Sequence, residues 1–285
     1  MNKKEILTAV FLVFILIVIS GVEQCQQGIG GEKTKAAKYG VDFTLQPGLD
    51  RLTEGKVIMQ GETFYVDILI ENFDSKPKSG EICIRDDINE VYGGINDKCK
   101  TFNIPSATYI ENKLESPASI RIIFPENDYY KYEGIPVDTD ATLFVSISYL
   151  QHSIISGAVK APEPQQETLT LQQTPSPVFV TVDKSVTSMT DNVKVNLKIG
   201  FTKQGEYNIT STDFKKEAIV VFPKLSVYNL DCPEIKQGLI EFRNTKFISC
   251  SAFLPREQYT HPLQLTLDYG VKLIKSFDFK IKKSE

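Results

Sequence analysis

The chain has 285 residues, 41% of them hydrophobic and 24% charged, with a formal net charge of −4. That length accommodates about two ordinary domains, and the composition excludes wholesale disorder. The small acidic balance excludes a general nucleic-acid binder, which would carry a basic field.

The first predicted element is an uncharged run over residues 6–22, rich in Ile, Leu, Val and Phe and preceded by Lys3 and Lys4. A secretory hydrophobic region has about 7–15 residues and a spanning helix about 17–25. A run of 17 favours a retained transmembrane helix within residues 1–22, although Ser20 and Gly21 are small enough to permit cleavage. By the positive-inside rule the two lysines stay in the cytoplasm, so the bulk of the chain lies outside a single-pass membrane anchor. Residues 23–39, rich in Gly, Gln and Lys, read as a flexible tether.

Residues 40–159 show a β pattern. Phe64, Val66, Ile68 and Ile70 alternate along one strand face, and residues 120–124 and 141–150 are further strand-like runs. Residues 74–80 and 92–95 carry turn chemistry. Residues 160–177, dense in Pro, Gln and Thr, read as an extended linker. Strand alternation resumes from 178: Val193, Val195, Leu197 and Ile199 point to a core, with Asn and Lys between them. Residues 263–268 and 273–281 read as two closing strands. The expected fold is all-β: two Ig-like antiparallel β-sandwiches in tandem, over 40–159 and 178–285, after an N-terminal transmembrane helix.

Residues 61–87, "GETFYVDILIENFDSKPKSGEICIRDD", with the hydrophobic run and tether before them, resemble the Ig-like, adhesion-type modules of archaeal cell-surface proteins. The closing "LTLDYGVKLIKSFDFKI", residues 265–281, is similar to the last strands of such modules. The resemblance implies an envelope protein and carries no catalytic residue.

Five cysteines divide into two pairs and a remainder. Cys83 and Cys99 have 15 residues between them, and Cys232 and Cys250 have 17. Each pair sits within one half, and outside the membrane such thiols oxidise. Free buried thiols, cross-domain pairing and zinc, the last without CxxC spacing or a nearby histidine, are the alternatives. Cys25, in the tether, is left for an intermolecular disulfide, for lipidation against a poorly matching Val22, Glu23, Gln24 context, or as an inert thiol.

Other candidates are weaker in pattern. Asn208, Ile209 and Thr210 form an N-glycosylation sequon. Tyr129, Tyr130 and Tyr132, among acidic neighbours, form a possible glycan- or protein-binding patch. The acidic run 86–90, with Asp97, reads as a solvated hairpin loop, with calcium as the alternative. The two histidines, His152 and His261, are expected at the surface or at strand edges. No catalytic, cofactor or metal motif is present, so the expectation is a non-enzyme. Residues 40–159 carry ten basic against nineteen acidic side chains, and residues 178–285 sixteen against twelve. Opposite signs would favour head-to-tail homo-oligomers or docking of the halves. The functional expectation is a structural or adhesive surface protein with a protein or glycan partner. The alternative is a carbohydrate- or ligand-binding subunit of a surface complex.

Overall fold

Alternating burial builds nearly every element of this chain. The structure, a computed structural model, describes residues 39–284 except 112, 162–165 and 258. The expected membrane helix, Cys25 and the tether before Tyr39 lie outside the described residues. Among those residues no helix is long and apolar enough to cross a membrane. The strands are β1 (Val41–Leu45), β2 (Val57–Met59), β3 (Val66–Asn72), β4 (Lys78–Asp86), β5 (Lys98–Ile104), β6 (Thr108–Ile110), β7 (Lys113–Ser116), β8 (Ala118–Phe124) and β9 (Thr139–Ala161). They continue with β10 (Glu167–Thr168), β11 (Val178–Ser188), β12 (Asn192–Lys203), β13 (Asn208–Thr210), β14 (Ala218–Leu225), β15 (Leu239–Glu241), β16 (Thr245–Pro255) and β17 (Tyr259–Lys282).

The chain is all-β, with strands arranged in several largely antiparallel sheets. One small sheet has the order β1-β3-β8 and draws only on the first half. Another has the order β10-β11-β12-β16 and belongs to the second. The large sheet, β15-β14-β17-β9-β4-β5, takes strands from both. Its spine is the antiparallel pair β9 and β17, in register from Tyr259–Ala161 to Ile281–Thr139 without a shift. At about 3.4 Å per residue, the 23 residues of β9 make a ribbon roughly 75 Å long.

The ribbon stays in register because one parity of residues faces inward along its whole length. Leu143, Val145, Ile147, Tyr149, Gln151, Ser153, Ile155 and Val159 are all buried, as are Leu263, Leu265, Leu267, Tyr269, Val271 and Leu273. A slip of one residue would expose every one of them. The chain directions make the strands trade places. The early part of β9 and the late part of β17 lie with β4 and with β2, which joins the end of β17 in parallel. They face the first small sheet, as the Phe43–Phe277 ring contact shows. The late part of β9 and the early part of β17 lie with β14. They face the second small sheet, where Lys184 of β11 donates to the carbonyl of Lys160. Each sandwich-like half therefore contains a strand segment from the other half of the sequence. From Tyr39 onward the chain forms one compact unit.

The stretch expected to be a linker is hydrogen-bonded into both layers. β9 runs through its start to Ala161, β10 pairs with β11, and Gln172 exchanges two main-chain hydrogen bonds with Ser156. Unpaired strand edges on both sides recruit the described part of the segment.

Calorimetry of the folded chain should show one cooperative transition. Leu143→Ala and Leu267→Ala, in opposite sandwich-like halves, should each lower that same transition, at a cost of about 2–5 kcal/mol. Two transitions, each responding to one variant, would contradict the shared ribbon.

Candidate functional site

The three tyrosines do not share a surface. Main-chain hydrogen bonds in both directions between Phe64 and Tyr130 tie their loop to the chain entering β3. Tyr132 is 0% exposed. Its ring stacks between Phe64, at 5.3 Å, and Phe279, at 6.0 Å, and its hydroxyl donates to Asp86 Oδ2 at 2.6 Å. Burial, then the Asp86 carboxylate, pushes this phenol far above the ordinary tyrosine range. Tyr130 is half-buried against Phe64, and burial followed by Asp86 pushes it up to about 12. Only Tyr129, 57% exposed, is open to a partner. The expected patch is corrected accordingly: stacking between Phe64 and Phe279, with an isolated bridge to Gly93, holds Tyr132 inward as a core residue.

Tyr129 instead meets Tyr65, with ring centres 6.4 Å apart. Beside them two guanidinium groups share the buried carboxylate of Asp67. Arg121 grips it with Nε at 2.8 Å and with a second nitrogen, and Arg51 reaches Oδ2 at 3.2 Å. Arg51 also donates to the Tyr65 hydroxyl at 2.9 Å and lies over that ring. Hydrogen bonding to Asp67 holds the Arg121 guanidinium above its ordinary range. Two cations on one buried anion leave a local positive excess in an otherwise acidic half. The outer edges of Arg51, Tyr65, Arg121 and Tyr129 present planar donors and aromatic faces, suited to hydroxyl- or carboxylate-bearing ligands. Periodicity alone assigns Asp67 to the solvated face, so the shared carboxylate escaped the sequence reading.

The acidic loop is occupied by its own main chain. Asp86 accepts from the amides of Ile88 and Ile95 as well as from Tyr132. Burial raises its carboxyl above the usual range despite those bonds. Asp87 accepts from the Thr142 amide, and Asn89 caps the short 3-10 turn Glu90–Tyr92.

Both expected disulfides are formed. Cys83 and Cys99 are direct cross-strand partners on β4 and β5, and Cys232 bonds to the buried Cys250 of β16. Glu81, Cys83 and Cys99 come within ion-holding distance of one another, but their sulfurs are bonded together. Asn208 is exposed at the start of β13.

His152 is half exposed, with Nδ1 2.5 Å from Asp268 Oδ1 across the ribbon. His261 departs from expectation: it is 6% exposed and edge-on to Tyr228 at 5.3 Å. The inward parity of β17 places it there. Among the described residues Nε2 finds no hydrogen-bond partner, and burial lowers its affinity for a proton.

Sequence reasoning also missed a polar waist where the two halves of the ribbon meet. Asp74 and Lys78 form a buried ion pair at 2.8 Å, and Gln151 donates to Asp74 at 2.9 Å. Burial lowers the Lys78 ammonium below its ordinary range, with Asp74 opposing the shift. Tyr149 accepts from the Val41 amide at 3.1 Å. Further along, Lys184 is buried against Glu167 at 2.7 Å. Its parity with Val180 and Val182 was the available signal.

A scan against protein-family models returned no match, and neither did a sequence search of curated proteins.

Tyr132→Ala should destabilise the fold by about 3–5 kcal/mol in urea unfolding, whereas exposed Tyr129→Ala should change stability by less than about 0.5 kcal/mol. Equal effects would contradict this division of roles. For His261, the folded-state pKa lies below the unfolded value near 6.5. The unfolded chain therefore binds the extra proton first, and stability falls as pH drops from 6.5 toward the folded value. His261→Phe should flatten the stability profile across that window. An unchanged slope would remove His261 as its source.

Proposed function

We propose that this chain is a membrane-anchored, extracytoplasmic protein with a structural or adhesive role. It binds its partner through exposed sheet faces and loops. The observation that carries the reading is the pair of disulfides braced across a layered β scaffold, since such bonds persist in oxidising compartments. Residues 6–22 supply the anchor and residues 23–38 the reach. The two sandwich-like halves are read as Ig-like modules, fused through a common ribbon. Such scaffolds hold loops rigidly for recognition.

A second reading, a carbohydrate- or ligand-binding subunit of a surface complex, is favoured by the Arg51, Tyr65, Arg121 and Tyr129 face. Under either reading the partner is a protein or glycan, and catalysis plays no part.

Membrane-impermeant biotinylation and protease shaving of intact cells test the placement. The reading expects both reagents to reach the chain before lysis. Mass analysis under denaturing, non-reducing conditions should then find one maleimide adduct, at Cys25, and five after reduction. Protection until lysis would overturn the reading.

A further inference from the structure

Asp67 holds one more cation than its burial requires. Its carboxylate, on β3, is 0% exposed. Arg121 of β8 alone engages both oxygens, with Nε on Oδ1 and Nη2 on Oδ2. One such fork already pairs a buried carboxylate. Arg51 nevertheless adds a second guanidinium, its Nη1 3.2 Å from Oδ2. Its Nε donates to the Tyr65 hydroxyl and its Nη1 to the Pro47 carbonyl, each at 2.9 Å. Both arginines are therefore fixed from behind. Among the described residues Arg121 Nη1 and Arg51 Nη2 have no hydrogen-bond partner. The two side chains are 48% and 25% exposed. What they turn outward is a pair of planar donors, held in place before any ligand arrives, so little ordering remains to oppose binding.

The surroundings narrow the ligand. Strand alternation sets Tyr65 on the same face as Asp67. Ile123, the register partner of Asp67 on β8, is 40% exposed beside them. Arg51 lies over the Tyr65 ring, 5.6 Å from its centre. Tyr129, tilted 55° to Tyr65, is thus the aromatic face left open. An open phenol ring and an aliphatic side chain suit the C–H face of a sugar ring. Glu126 and Asp128 are exposed in the adjoining loop. Glu126 pairs with Lys100 at 3.5 Å, and Asp128 accepts from the Tyr129 amide. These acids offer acceptors to ligand hydroxyls and repel a polyanion, whereas the two guanidiniums call for a single carboxylate.

We propose that this face binds an acidic sugar, a hexuronate. Its carboxylate takes the outward nitrogens of Arg51 and Arg121, and its ring lies on Tyr129 and Ile123. The inference rests on the ligand-binding reading of the same face and adds the class of the ligand.

Saturation-transfer NMR on the full chain in lipid nanodiscs tests this, with glucuronate, glucose and acetate as probes. Glucuronate should bind at least about tenfold more tightly than either of the others. Arg51→Gln leaves Asp67 its fork from Arg121, so the chain still folds, and it should cut the preference over glucose to less than about twofold. Tyr129→Ala, at an exposed ring, should weaken both sugars alike, by about fivefold, and leave acetate unchanged. Glucose binding as tightly as glucuronate would overturn the acid specificity and leave the carbohydrate-binding reading standing. Failure of both sugars to bind would overturn the two together. Acetate as tight as glucuronate would remove the sugar ring from the proposal, and a preference that survives Arg51→Gln would remove it from this face.

Discussion

The register between β9 and β17 is the constraint on which the rest of this protein depends. Twenty-three consecutive residue pairs keep the same parity inward, so both small sheets pack on faces of one continuous ladder. Because the strands are antiparallel, the segment of β9 nearest its own half is matched by the distal segment of β17, and the reverse holds at the other end. Neither sandwich-like half has a complete inner sheet made from its own half of the sequence. The polar waist around Asp74, Lys78, Tyr149 and Gln151 sits where the two small sheets leave off. There hydrogen bonds and an ion pair replace apolar packing.

Edges follow from the same ladder. A ribbon longer than the strands beside it leaves main-chain groups to be covered, and short elements do this piecemeal. β13 and β2 cover stretches of β17, and the segment around Gln172 covers part of β9. The disulfides brace the periphery. Cys83–Cys99 ties the edge strand β5 to β4, and Cys232–Cys250 ties a loop to β16.

Much of the all-β character was legible in the sequence because alternation is a local signal. Val193, Val195, Leu197 and Ile199 reveal their strand without any tertiary knowledge. The cysteine pairs were legible because each closes a short loop. The length of the ribbon was not. Gln151, His152 and Ser153 look like the end of a strand, and Gly270 looks like a break, because partners distant in sequence bury or pair them. Asp67 and Lys184 were hidden for a related reason. Their burial is stabilised by Arg51, Arg121 and Glu167, whose proximity only the fold creates. Tyr132 and His261 read as surface residues from composition; strand parity turned His261 inward, and stacking between Phe64 and Phe279 buried Tyr132.

The distance in sequence between β9 and β17 has a consequence for folding. The inner sheet of the first half is incomplete until residues 271–282 are available, so that half does not close before they are made. The polypeptide stays open until β17 emerges, and then both halves close together around it. Ordering by such distant contacts is intrinsically slow. β9 waits exposed through that interval, so the yield of folded protein depends on the arrival of β17 more than on any feature of the first half alone.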